Sequence, residues 1–338
     1  MVRVGVIGVG YWGPNLVRTL TEIEGSRVVR VADLQTGRLE FIGRRFPQVQ
    51  TTASAAEVIE DESIDAVFIA TPPATHYKLA SDALKAGKHV FIEKPFTTEV
   101  AQAEELVRTA DATGKKIGVG HLFLYHPAVA AIAGLVAGGE LGEPLYVCTS
   151  RFNVGPPQTR VDVLWDLAPH DVAIVLHLFG EPPVEVRASG ARFRNDEFIE
   201  AACLNLTFPG GRMAQINVGW LTPAKVRNLM LVCGDKTVIY DDMQMVDKLR
   251  IYEPARDNRT STAAASKALS YGPGNIVIPP VPSAEPLRLE CEDFIKAIRS
   301  GAEPVSNGRN AIEVVRVLQA ASRAIYSSLS ADAQVVTA

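Results

Sequence analysis

A short β-branched run, Val2-Arg3-Val4-Gly5-Val6-Ile7, closes on Gly8, Gly10 and Gly13, and beyond them Leu16, Val17 and Leu20 fall at helical spacing. A buried strand that turns into a helix through glycines is the most confining feature of the chain. In such a turn the first glycine bends the backbone, the second lets a pyrophosphate approach it, and the third lets helix and strand pack closely. The free N–H groups and positive dipole end of the helix then face the phosphates. Glycine-rich turns are common, so the reading needs a second strand that ends in an acid. Arg27 to Ala32 supplies the strand, and Asp33, 20 residues beyond Gly13, supplies the acid. A carboxylate there accepts from a ribose diol and repels a 2′-phosphate, which predicts NAD over NADP. Arg38 is near enough in sequence to complicate that preference, and it equally suits a solvated surface.

Strand and helix signals alternate from residue 1 to about 121, as parallel βαβ units require. The run Ala66 to Ala70 stops at Thr71-Pro72-Pro73, and a helix with Leu79, Ala83 and Leu84 on one face follows. The run His89 to Ile92 stops at Glu93-Lys94-Pro95, a helix over about 99–113 ends at Gly114, and residues 116–120 form the next strand. In open α/β sheets ligands bind at these carboxyl ends. From Leu122 the rhythm changes. Residues 144–153, 183–195, 199–208, 212–221, 227–233 and 236–241 read as strands of a largely antiparallel sheet with one face covered by helices. The segment 253–286, rich in Ala, Ser, Pro and Gly, reads as an excursion over the active site or toward a partner subunit, and helices over about 287–300 and 310–329 follow. These signals predict a nucleotide domain over 1–121 and a substrate-binding and oligomerisation α+β domain over 122–338.

The length of 338 residues fits two cores, and 47% hydrophobic with 21% charged residues is ordinary globular composition. A net charge of -4 leaves no basic footprint for a nucleic acid. Cys148, Cys203, Cys233 and Cys291 are scattered, without a C-x-x-C pair, which argues for thiols in a reducing compartment rather than a disulfide frame or metal site. Met1 leads directly into the first strand, leaving no space for a signal peptide, and no apolar run approaches a membrane span. The expectation is a cytoplasmic protein.

Lys94, between Glu93 and Pro95 at the end of a buried strand, is held rather than loose, and an ammonium near the nicotinamide stabilises an alkoxide-like transition state. The stretch Trp165-Asp166-Leu167-Ala168-Pro169-His170-Asp171 opens a helix, since proline is tolerated in a first turn. Asp166 and His170 at i, i+4 then share one face, where the carboxylate fixes the tautomer of an imidazole suited to proton transfer. Spacing alone equally allows Asp166 as an N-cap with His170 on the surface. Asp171 reads as a capping or dipole group, and His177 as structural.

The strings GVGYWG, ATPPATH, AGKHVFIEKP and WDLAPHD, in this order, resemble the Gfo/Idh/MocA family of sugar and cyclitol oxidoreductases along essentially the whole chain. The resemblance implies an α/β Rossmann domain plus an α+β domain with an open, mostly antiparallel sheet whose exposed face builds a homodimer or homotetramer. It implies Lys94, Asp166 and His170 as the catalytic set. It implies cofactor contacts from Gly8, Gly10, Tyr11, Trp12 and Gly13, from Asp33, Leu34 and Arg38, and from Thr71, Pro72, His76, Glu93 and Lys94. GYWGPNLVR, SRFNVG, VLWDLAPHD, GNIVIPP and EPLRLECEDF resemble members acting on nucleotide sugars at C3 and on aminoglycosides. Such enzymes use NAD to oxidise a ring hydroxyl to a ketone for transamination; others reduce keto-sugars or act on inositol or free pyranoses, and a few are sensors. Besides the catalytic three, Arg151 and Asn153 are candidate sugar contacts or sheet-surface residues. Tyr125, Trp165 and Tyr271 are candidates for stacking on the sugar or for a core or interface.

Overall fold

The computed structural model describes residues 1–154, 161–194, 197–254 and 274–335, with residues 331–335 described by backbone alone. The chain divides into two units, residues 1–126 with 284–319, and residues 127–283 with 320–338.

In the first unit the order is β1 (Val2–Ile7), α1 (Gly13–Glu22), β2 (Ser26–Ala32), α2 (Thr36–Arg45), β3 (Gln50–Thr52), α3 (Ala55–Ile59), β4 (Ala66–Ile69), α4 (His76–Lys85), β5 (His89–Ile92), α5 (Val100–Thr113) and β6 (Ile117–Val119). The sheet runs β3-β2-β1-β4-β5-β6 with every neighbouring pair parallel, so strand order reverses between β1 and β4. That reversal opens a crevice at the carboxyl ends of β1 and β4, the two strands that finish at Ile7 and Ile69, just before Gly8 and Ala70. Residues Ala66 to Ile69 are buried on both faces of β4, as expected of a parallel strand covered by helices.

The second unit holds α6 (Pro127–Ala137), β7 (Pro144–Phe152), α7 (Val163–Phe179), β8 (Glu185–Ala191), β9 (Ala201–Thr207), β10 (Met213–Gly219), β11 (Val226–Cys233), β12 (Thr237–Asp241), β13 (Leu249–Tyr252) and β14 (Ile276–Val277). Its sheet runs β14-β13-β12-β11-β7-β10-β9-β8. All neighbours are antiparallel except β7 and β10, which pair in parallel at the centre, so the sheet is mixed. Ala202, Leu204 and Leu206 of β9 and Ala214, Ile216 and Val218 of β10 are buried in strict alternation on the face that α7 covers. The expected excursion over 253–286 falls largely on residues 255–273, outside the described residues; its later part forms β14 against β13.

The first compact unit takes in more of the chain than the expected span 1–121. α8 (Pro286–Ser300) and the first part of α9 (Gly308–Val335) belong to the first unit. Leu287, Cys291, Phe294 and Ile295 form one apolar stripe of α8 and enter the core that holds Val4, Val6, Leu16 and Leu20. Phe294 meets the stacked Phe68–Phe91 pair edge-on, at 5.5 and 5.6 Å between ring centroids. Among the described residues no helix is long and apolar enough to cross a membrane.

One half-buried histidine of this unit carries a pH prediction. His89 Nδ1 accepts the Lys116 N–H at 3.0 Å, and burial, then the charge of Lys115, pushes its pKa down to about 4. The unfolded chain therefore binds more protons than the folded one between its ordinary 6.5 and about 4, and stability is lost as pH falls through that window. His89→Asn keeps an acceptor without the titration. It is expected to recover on the order of 2 kcal/mol at the acid end relative to pH 7. Denaturant midpoints of both proteins at the two pH values measure this; equal slopes would refute it.

Candidate active site

In the first unit the glycine turn is shaped by close contact. Gly8 has φ +92°, and a Cβ there would lie 2.7 Å from the Ala70 carbonyl oxygen. A Cβ on Gly13 would lie 2.1 Å from the Gly8 carbonyl oxygen, so β1 and α1 approach too closely for any side chain. Gly10 differs: an added Cβ meets only the Arg38 guanidinium, at an ordinary 3.5 Å. The fold itself does not demand glycine there, whereas a pyrophosphate lying on the backbone does. α1 has no side-chain N-cap and no acid in its first turn, which leaves its dipole end suited to an anion. These residues fit a dinucleotide.

Asp33 does more than the sequence suggested. Its Oδ2 accepts the Val9 N–H at 2.8 Å and its Oδ1 the Gln35 N–H at 2.8 Å, so it fastens the glycine turn to the end of β2. Arg38 Nη1 stands 3.4 Å from Oδ2. Tyr11 and Leu34 flank the turn with exposed side chains, while Trp12 packs against the core.

His76 is corrected from a cofactor contact to a brace. It is fully buried, with Nδ1 2.8 Å from the Pro95 carbonyl oxygen and Nε2 2.8 Å from that of Thr71. It thus ties the turn after β4 to the turn after β5. Thr71 and Thr75 share a hydroxyl contact of 2.7 Å, and Thr75 also donates to the Pro72 carbonyl oxygen, which shapes the first of those turns.

Lys94 follows β5 and precedes Pro95 through a cis peptide bond. Its N–H donates to Glu93 Oε2 at 3.3 Å, and the Trp12 indole also donates to Glu93. Burial raises the Glu93 carboxyl to about 7 against the pull of Lys94. His121, which sequence reasoning passed over, is buried nearby; burial, then the charge of Lys94, pushes it down to about 4, so it is neutral at pH 7. Tyr125 is corrected to a core residue: its hydroxyl donates to Asp293 Oδ2 at 2.7 Å and accepts the Ser306 N–H at 3.1 Å.

In the second unit the helix bearing Asp166 and His170 starts earlier than expected. Its N-cap is Asp162, whose Oδ1 accepts the Trp165 N–H at 3.1 Å while Oδ2 accepts from the Tyr326 hydroxyl at 3.2 Å. Asp166 is therefore no N-cap, and Pro169 lies inside the helix rather than in its first turn. Proline brings no N–H, so the Trp165 carbonyl has no i+4 amide donor beside the Asp166–His170 face. Asp166 Oδ2 accepts from the Trp220 indole at 3.1 Å, at the end of β10. Trp220 was missed because only the folded sheet brings it to α7. His170 stands one turn beyond Asp166 and is half-buried, as is Trp165.

Arg151 and Asp171 are also corrected. Arg151 Nε and Nη2 meet Asp171 Oδ2 and Oδ1 at 2.6 and 3.2 Å, with side chains only 5% and 4% exposed. This bidentate pair holds β7 to α7, which makes Arg151 an internal clamp rather than a sugar contact, and Asp171 its partner rather than a cap. Asn153, at the end of β7, has its N–H on the Gly219 carbonyl oxygen at 3.1 Å, and no donor among the described residues reaches its shielded Oδ1. Tyr271 lies outside the described residues.

Comparison with known proteins adds the family. The description "Oxidoreductase family, NAD-binding Rossmann fold" matches residues 2–121, and "GFO/IDH/MocA C-terminal domain" matches residues 129–240. The chain belongs to the Gfo/Idh/MocA oxidoreductase family. It is similar to UDP-N-acetylglucosamine 3-dehydrogenase of Acidithiobacillus ferrooxidans, 32% identical over 74% of this chain and 77% of that one. A solved structure of that dehydrogenase, GnnA, superposes with TM-score 0.83 at 25% identity, covering 96% of this chain and 98% of its own. Two scyllo-inositol 2-dehydrogenases of Bacillus subtilis are also similar. The one named for NAD(+) is 27% identical over 90% of this chain and 88% of its own. The one named for NADP(+), IolW, is 25% identical over 95% and 92%. This Gfo/Idh/MocA enzyme thus falls among the NAD(P)-dependent dehydrogenases of sugars and polyols, with a Rossmann unit followed by a mixed, mostly antiparallel sheet.

Proposed function

We propose that the enzyme uses NAD⁺ to oxidise a secondary ring hydroxyl, at C3, of a hexose unit in a nucleotide sugar or aminoglycoside, giving a ketone ready for transamination. The observation that carries the reading is the retention of Lys94 at the end of β5 together with Asp166 and His170 on one face of α7, Asp166 being held by Trp220. When bound, NAD⁺ supplies the hydride acceptor. His170 takes the hydroxyl proton, and Asp166 stabilises the imidazolium that forms. Lys94, at the end of β5, supplies a charged donor that stabilises developing negative charge. The test is a turnover screen with NAD⁺ across nucleoside-diphosphate hexoses, aminoglycosides, inositols and free hexoses, followed by reduced cofactor with the matching ketones. Turnover confined to inositols, or to ketone reduction, overturns the assignment.

NAD is proposed over NADP because the Asp33 carboxylate is locked in place at the end of β2, where it faces a 2′-phosphate with its charge. The kcat/KM ratio is expected to favour NAD⁺. Asp33→Asn, which removes the charge, is expected to shift that ratio toward NADP⁺ by about tenfold, or about 1.4 kcal/mol. A wild-type preference for NADP⁺ would show that Arg38 dominates the site.

A homodimer or homotetramer through the open face of the second sheet is proposed on the pairing of Met213 with Tyr146, which lie 48% and 41% exposed on neighbouring strands. Light scattering should give a dimer or tetramer that Met213→Glu weakens; a wild-type monomer overturns it. Four unpaired cysteines support the proposed cytoplasmic location.

A further inference from the structure

The first unit buries more acid behind the lysine turn than its surroundings neutralise. Glu93, half-buried as a residue, sends its carboxyl inward, where a Cβ on Gly120 would lie 2.6 Å from Oε2. Oε1 is shielded from solvent and meets no protein donor among the described residues. Glu290, on the inner face of α8, is 1% exposed, and neither of its oxygens meets a described donor. The groups that bear on this pair are Lys94 on the same turn, the Trp12 indole before α1, His121 beyond β6, Tyr125, and Asp293 and Cys291 on α8. Lys94 is the one cation named among them, because His121 is neutral at pH 7.

Two buried carboxyls beside one ammonium do not both stay ionised, since desolvation and mutual repulsion each favour a proton. Neither oxygen of Glu290 meets a described donor, and burial, then the charges of Glu93 and Asp293, raise its carboxyl, so it is the more readily protonated of the pair. Glu93 accepts the Lys94 N–H and the Trp12 indole N–H and feels the Lys94 charge, so it is the member more readily ionised.

We infer that Glu93 is the proton-linked group of the dinucleotide site: part of the free enzyme carries its proton at pH 7, and binding of the positively charged nicotinamide of NAD⁺ expels it, with Glu290 kept neutral behind. The carboxylic O–H bond breaks and the proton passes to the solvent buffer; no electron moves. The reduced ring lacks the positive charge and expels less. This rests on the proposed reading that the nicotinamide lies beside the Lys94 turn. It also makes the affinity for the oxidised cofactor rise with pH while that for the reduced form lags.

Calorimetric titration of NAD⁺ and NADH into the full-length enzyme at pH 7, in buffers of different ionisation enthalpy, tests it directly. A fraction of a proton released per NAD⁺, and clearly less per NADH, is expected. Glu93→Gln should make the NAD⁺ heat independent of buffer, and Glu290→Gln should leave the release intact. In the unaltered enzyme, the Kd of NAD⁺ should fall several-fold relative to that of NADH from about pH 6 to about pH 8. NAD⁺ binding with buffer-independent heat and a pH-independent Kd ratio overturns the proton linkage alone. Release that survives Glu93→Gln or disappears in Glu290→Gln overturns the assignment to Glu93. Failure to bind either cofactor overturns the dinucleotide reading and this inference with it.

Discussion

Replacing Lys94 by methionine is expected to lower turnover by about a thousandfold while NADH binding stays close to that of the unaltered enzyme. The two effects separate because the contacts that shape the cofactor turn come from Gly8, Gly13 and Asp33, none of which uses the lysine ammonium. Methionine preserves the length and apolar stem of the side chain, so a loss of rate reports the missing charge and donor. His170→Ala should fall by a similar factor. Asp166→Asn should lose less, because the Trp220 indole still has an oxygen to bind. Single-turnover rates together with cofactor fluorescence titrations make the measurement. Rates near the original for both Lys94→Met and His170→Ala would remove the assigned chemistry.

The second large effect is on stability. Asp171→Ala is expected to cost roughly 3–5 kcal/mol, because it removes the bidentate carboxylate from a guanidinium that is nearly sealed from water. The double replacement Arg151→Met with Asp171→Leu should recover most of that loss, since apolar groups of similar volume avoid the buried charge. Urea denaturation of the two proteins decides the matter. A cost under about 1 kcal/mol for Asp171→Ala would mean that the pair behaves as a surface ion pair does. Because Asp171 follows His170 on α7, the same replacement should also reduce turnover in whatever fraction remains folded.

The local patterns were legible. The strand–glycine–helix start of the first unit follows from β-branched runs and the steric demands at Gly8 and Gly13, all of which act within a dozen residues or across one strand. The strands β7 to β12 were readable from alternation, within about two residues at most ends and four at the end of β8. What stayed hidden depended on distant partners. The stripe on α8 is visible as periodicity, but nothing local says that it enters the core around β1 rather than the sheet that precedes it in sequence. Arg151 and Asp171 are 20 residues apart, and only the packing of α7 on β7 turns a candidate sugar contact into a clamp. Pro169 misled for a different reason: proline marks first turns often enough to suggest a helix start, yet Asp162 caps the helix about one turn before Asp166. Tyr125 and His76 look equally available as letters, and burial alone distinguishes them from ligand contacts.

The histidine between the turns after β4 and β5 has a mechanical meaning. A neutral imidazole brings one hydrogen to two carbonyl oxygens, so at any instant the ring fastens one turn and merely abuts the other. Exchange of tautomer hands the fastening across. The two turns are therefore joined through this ring by one hydrogen bond at a time, not by two.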